Sequence, residues 1–217
     1  MTHHPELRFG AGLRDSAESW PVSESEIVHA TGRVVAVRRD RIEPPGGREP
    51  FVRDVVEHPG AVGVVALDEN ERMLLVHQYR HPVGYRLLEP PAGLLDIAGE
   101  DYRLAAEREL WEEAATKAAD WRVLVDVFTS PGLTSEAVRI FLARELSAAD
   151  EVYDRLHEEA DMETVWAPLA DVVKAVLAGD LHNPILVMGA LAAWTALHGD
   201  GFSALRLADA PWPAKDA

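Results

Sequence analysis

Apolar and β-branched residues dominate 61–67 and again 73–79, and the five residues between them, 68–72, are acidic, polar or basic. That pattern predicts a strand, a turn and a second strand. Upstream, 32–38 and 50–57 predict two further strands, with Pro44, Pro45, Gly46 and Gly47 marking a turn in the intervening 42–48. Two antiparallel strands alone are rarely stable, so this small sheet is expected to pack on the main domain or on a second subunit. A short strand near 86–88 is closed by Glu89, Pro90, Pro91, Ala92 and Gly93. The helix expected at about 101–117 carries Ala106, Leu110 and Ala114 at helical spacing. That apolar stripe can enter a core while the face bearing Glu109 and Glu113 looks into a cleft. Strands are predicted at 121–129, 137–145 and 163–167, with a polar, acidic loop over 147–162. Helices are predicted at 168–177, with Pro168 early and Gly179 just beyond, and at 183–197, with Gly199 after it. Strands interleaved with three helices give an α/β or α+β sandwich.

Composition narrows the chemistry. The 217 residues are 47% hydrophobic and 27% charged, as in a globular protein with a sizeable core. A formal net charge of −16 disfavours binding to a nucleic-acid backbone or an anionic membrane, since both require a positive surface. With no cysteine, disulfides, zinc–thiolate sites, iron–sulfur clusters and a Cys nucleophile are excluded. Residues 1–19 lack an apolar stretch of signal-peptide type, and the apolar run 185–197 is too short to span a bilayer. A cytoplasmic protein is expected.

The most informative feature is the helix with Glu109, Glu112 and Glu113. Residues three and four apart share a helix face, so these carboxylates repel one another unless a positive charge lies among them. Hard divalent cations favour carboxylate, carbonyl and water oxygens, and Mg²⁺ binds through a few carboxylates together with substrate phosphates. No helical His pair accompanies them, which argues against a zinc-protease type of site. An acidic helix face can also be merely solvated, and the neighbouring residues decide between the two readings.

Gly93, Glu100, Arg108, Glu109, Leu110, Glu112, Glu113 and Ala115 together resemble the Nudix box: a glycine, a loop, a glutamate, then Arg-Glu-apolar-x-Glu-Glu-x-Gly. Two departures stand out. Six residues rather than five separate Gly93 from Glu100, and Ala115 replaces the final glycine. A loop absorbs one extra residue at small cost, whereas alanine in a left-handed conformation costs about 1 kcal/mol. The resemblance implies an α/β/α sandwich with a mixed sheet over 58–205, an N-terminal segment with an antiparallel strand appendage over 1–57, and a C-terminal tail over 206–217. It implies a hydrolase of nucleoside diphosphates linked to another moiety, dependent on Mg²⁺ or, as the alternative, Mn²⁺, with two or more ions. Glu109 and Glu113 would be metal ligands, Glu112 a ligand or bridge, and the Ala92 carbonyl a further oxygen. Arg108 would orient the cluster through a salt bridge to Glu100.

Downstream, Ser130-Pro131-Gly132 places a proline sixteen residues after Ala115. This is similar to the marker of the ADP-ribose pyrophosphatase branch of the family, although Pro131 alone reads equally as a turn residue. That branch implies an N-terminal strand appendage exchanged between two subunits, hence a homodimer, and arginines against the substrate. Arg53 and Arg80 stand at the corresponding places and read equally as surface ion-pair residues. The branch also implies a water-activating glutamate in a loop before the last strand, with Glu158 the first candidate and Glu159 the second. The implied reaction converts ADP-ribose to AMP and ribose 5-phosphate. Another nucleoside diphosphate sugar, a dinucleotide, or a non-catalytic ADP-ribose sensor are the alternatives.

Overall fold

β4 (Ala61–Ala66) is buried along its whole length because helices cover both of its faces. Val62, Val64 and Ala66 point to one side, and Ala61 and Val65 to the other, as the two-residue period of a strand requires. The computed structural model describes residues 14–30, 34–149 and 162–216.

In chain order the elements are β1 (Val22–Ala30), β2 (Ala36–Ile42), β3 (Phe51–Glu57), β4, β5 (Arg72–Arg80), β6 (Tyr85–Glu89) and β7 (Ala92–Leu94). There follow α1 (Tyr102–Ala114), β8 (Thr116–Phe128), β9 (Ala137–Ala148), β10 (Glu163–Pro168), α2 (Leu169–Ala178), α3 (Pro184–His198), β11 (Arg206–Leu207) and α4 (Pro213–Asp216). The central sheet is mixed, in the order β11-β8-β9-β4-β7, with β4 parallel to β9 and the other neighbours antiparallel. A second sheet runs β10-β5-β6 and a third β1-β2-β3, both antiparallel.

Each face of the central sheet has its own core. Ala105, Ala106 and Leu110 of α1 pack on Val62, Val64, Val123 and Phe141, while Leu186, Ala190 and Ala193 of α3 pack on Val65, Ile140 and Leu142. Burial of each large apolar side chain contributes about 1.5–3 kcal/mol, so the two cores fix α1 firmly on one side of the sheet. The expected α/β/α sandwich is therefore present. Asn183 caps α3 by accepting from the Leu186 N–H at 2.9 Å, and Pro184 occupies its first turn. The C-terminal segment is tied to the body by Arg139, which grips Asp126 and donates to the carbonyls of Ala210 and Pro211. Its guanidinium also lies over Trp212, so a buried charge is met on every side. No helix among the described residues is long and apolar enough to cross a membrane.

The structure revises the expected elements at several places. The N-terminal sheet has three strands: β1 was not expected, because its residues alternate without an apolar face and it is exposed throughout. The strand expected at 32–38 lies at Ala36–Ile42, where it pairs with both neighbours. β7 is also additional, since pairing with β4 makes a strand of a segment whose composition reads as a turn. α1 ends at Ala114 rather than near 117, because Ala115 turns left-handed (φ 47°, ψ 38°). Its N–H closes the last turn on the carbonyls of Leu110 and Trp111, and β8 begins at the next residue. Glycine accepts that conformation freely. Ala115→Gly is therefore expected to stabilise the fold by about 1 kcal/mol, raising Tm by about 2–4 °C in thermal unfolding. No change in Tm would mean that Ala115 is not strained there.

Candidate active site

Asp101 starts α1 by accepting from the N–H groups of Arg103 and Leu104, and this fixes where the acidic face of the helix lies. That face meets β7. Glu109 is 8% exposed and Glu113 5%, so both carboxylates are covered by the strand and do not look into an open cleft. The Ala92 N–H donates to Glu113 Oε2 at 2.9 Å. Gly93 sits directly against Glu109, and a Cβ built there would overlap its carboxylate. Glycine is required at 93 for this close approach, and the strand and the glutamate helix interlock at Ala92 and Gly93.

Arg108 holds the cluster together. Its Nε and Nη2 donate to the two oxygens of Glu100 at 3.0 Å each, and Nη1 donates to Glu109 Oε1 at 2.5 Å and to Glu112 Oε2 at 3.4 Å. The bidentate grip fixes the plane of the guanidinium, which single-point contacts cannot do. Hydrogen bonding to Glu100 raises the Arg108 pKa, burial opposes it, and Glu109 adds to the rise, so the group stays a cation under all ordinary conditions. Of the six residues between Gly93 and Glu100, Leu94 still belongs to β7 and the other five form the loop, with Gly99 at positive φ just before Glu100.

The donor set is all oxygen and acidic, which suits a hard divalent cation. Among the described residues no group of three or more His, Asp or Glu side chains is arranged as a ready metal cage. A cation here would draw on one or two of these carboxylates, main-chain oxygen, water and substrate, as Mg²⁺ does elsewhere. In extended backbone the N–H and C=O of one residue point to the same side. The Ala92 carbonyl therefore shares the side on which Glu113 lies.

The remaining candidates are distributed unevenly. Arg80, at the end of β5, forms a bidentate pair with Glu89, which sequence reasoning did not single out. An acidic residue directly after Leu87 and Leu88 at the end of the strand was the available signal. Arg53 lies on β3 in the separate N-terminal sheet, stacked over Phe51 at 4.5 Å and donating to the Val52 carbonyl. No described contact joins it to the glutamates. Pro131 occupies the exposed turn between β8 and β9, where Leu133 and Ser135 hydrogen-bond Val56 at the end of β3. Glu158 and Glu159 lie outside the described residues. An open depression of about 560 Å³ borders the site, lined by Val34, Val35, Glu57, His58, Leu95 and Asp96 among others. It adjoins the residues that follow β7, while the glutamates themselves lie beneath the strand.

Known proteins resemble this chain in sequence and in fold. The chain is 46% identical over 188 residues to an ADP-ribose pyrophosphatase of Mycobacterium tuberculosis, covering 87% of this chain and 88% of the relative. It is 33% identical over 168 residues to an ADP-ribose pyrophosphatase of Bacillus subtilis, covering 77% and 88% respectively. A crystal structure of an ADP compounds hydrolase shares the fold, with a TM-score of 0.71, 24% identity, and coverage of 87% of this chain and 99% of that one. The NUDIX domain model matches residues 57–186, the span that holds β4, β7, α1 and the whole glutamate cluster, and the chain belongs to the NUDIX domain family.

Proposed function

We propose that this protein hydrolyses the pyrophosphate bond of ADP-ribose to AMP and ribose 5-phosphate with Mg²⁺ as cofactor. The observation that carries the reading is the interlock of buried Glu109 and Glu113 with Ala92 and Gly93. The names of the two relatives, each covering most of the chain, support the substrate.

Glu109, Glu113, Glu112 and the Ala92 carbonyl are the groups that would hold the cations. Bound divalent cations supply charge neutralisation for the pyrophosphate and acidify an attacking water. Arg108, pinned by Glu100, keeps Glu109 and Glu112 from swinging apart before the substrate arrives. Arg80 and Arg53 bind the anionic substrate, which a chain of net charge −16 would otherwise repel. Glu158, with Glu159 as the second candidate, accepts the water proton at its carboxylate.

The N-terminal sheet takes part through a second copy of the chain. All nine residues of β1 are exposed, Val22, Ile27 and Val28 among them, and β3 meets the body through Leu133, Thr134 and Ser135. A three-stranded sheet whose outer strand is exposed along its whole length lacks part of the burial that stabilises such elements. A homodimer in which each copy covers the other's sheet supplies it, and brings Arg53 to a place where it can serve a site.

The test is direct. With Mg²⁺, ADP-ribose is expected to give AMP and ribose 5-phosphate in equal amounts, and excess EDTA to slow the reaction at least tenfold. Tight binding of ADP-ribose without turnover would move the reading to a non-catalytic sensor. Faster turnover of another nucleoside diphosphate sugar or a dinucleotide would move the substrate. Light scattering at the assay concentration should give the mass of a dimer.

A further inference from the structure

Glu89 is 1% exposed and has no part in the proposed reaction. Its carboxylate takes Arg80 Nε at 2.9 and 3.2 Å and Nη2 at 2.6 Å. The β5–β6 hairpin explains how demanding this pair is. Val76 lies opposite Glu89, and Arg80 opposite Tyr85, so the two partners are four residues apart along the sheet. At about 3.3 Å per residue that is roughly 13 Å between backbones, which only two side chains extended towards each other can span. They share a face of the hairpin, since residues 76, 78 and 80 alternate to the same side.

Stability alone does not account for such a pair. Desolvating two charges costs several kcal/mol, and well-packed apolar residues in their place are often as good or better. A two-oxygen grip on the Nε–Nη2 edge does set the plane and direction of a guanidinium. The Arg80 side chain stays 42% exposed, so its head is anchored at a buried carboxylate while part of it faces solvent. Glu89 also lies three residues before Ala92, whose N–H meets Glu113. The anchored guanidinium is thus held within a short stretch of chain from the glutamate cluster.

We infer that Glu89 is a positioning residue: it aims the Arg80 guanidinium at the pyrophosphate of the substrate. This rests on the reading of Arg80 as a substrate-binding residue in the proposed function. Glu89 touches no reacting atom and acts through Arg80.

The experiment measures ADP-ribose affinity by calorimetry in EDTA, together with Tm, for wild type, Glu89→Gln, Arg80→Gln and the double variant. Glu89→Gln keeps the size and an acceptor but lacks the charge that grips the guanidinium. It is expected to weaken binding about tenfold with Tm nearly unchanged, Arg80→Gln to weaken it at least as much, and the double variant to match Arg80→Gln. With Mg²⁺, KM should rise in parallel while kcat stays within about threefold. Because Arg80→Gln leaves a buried carboxylate without this partner and can fail to fold, Glu89→Asp serves as a second probe. It keeps the charge, shortens the reach by one methylene, and should also weaken binding. Unchanged affinity in Glu89→Gln and Glu89→Asp overturns the inference and leaves the function standing, as does a double variant weaker than Arg80→Gln by the full Glu89 factor. Unchanged affinity in Arg80→Gln overturns both the role of Arg80 and that of Glu89. A wild type that neither binds nor hydrolyses ADP-ribose overturns the proposed function, and the positioning role with it.

Discussion

Glu113→Gln is expected to lower kcat for ADP-ribose by about 10³-fold while changing Tm by no more than a few degrees. The rate falls because an amide oxygen is a far weaker partner for a divalent cation than a carboxylate. Cation stabilisation of a phosphate transition state is worth several kcal/mol, and each 1.36 kcal/mol is a factor of ten. Stability is spared for a different reason. One oxygen of the Glu113 carboxylate accepts a hydrogen bond from the Ala92 N–H, and the glutamine carbonyl can accept the same bond. Steady-state kinetics at saturating Mg²⁺ and a thermal melt on the same preparation decide the matter. A variant that keeps wild-type kcat removes Glu113 from the site, and one whose Tm collapses makes the residue structural.

Gly93→Ala should cost activity on the order of 10²–10³-fold, although it removes no functional group. A Cβ at 93 overlaps the Glu109 carboxylate, so either that carboxylate or β7 has to move. The carboxylate is the end of a flexible chain and yields first. Arg108 holds it at 2.5 Å and α1 holds the stem, so it can yield only by leaving its place against Gly93. Misplacing a reacting group by about 1 Å can cost about 10²-fold, and here a ligand is displaced as well. The loss of stability should be modest, about 1–3 kcal/mol, as for other overpacked sites. Wild-type kinetics in Gly93→Ala would show that Glu109 need not lie against β7 for the reaction.

The two variants approach the cluster from opposite elements, one on α1 and one on β7. Their double variant should be scarcely slower than Glu113→Gln alone, since both disable the same site.

Much of the framework was legible in the chain because it rests on local rules. The strand pair around 68–72, the helix bearing Glu109, Glu112 and Glu113, and the two late helices followed from periodicity and from Pro and Gly at their ends. What escaped was set by pairing at a distance. β7 has the composition of a turn and becomes a strand because β4 lies beside it. β1 carries no apolar face and is a strand because β2 pairs with it. The burial of Glu109 and Glu113 could not be read from helical spacing, which places them on one face but does not say what that face meets. Glu89 escaped for the same reason, since its partner Arg80 is found only when the hairpin register is known.

By itself, then, the amino-acid order determined which groups are present and how they are spaced: three glutamates on one helical face, an arginine and a glutamate to orient them, and a glycine upstream. Covalent spacing and helix geometry suffice for that. The tertiary structure alone decided that Ala92 and Gly93 close over the carboxylates, that Ala115 turns left-handed to end α1, and that a buried Glu89 grips Arg80. Each of these depends on which elements pack together, and packing is a property of the folded chain that no local segment carries.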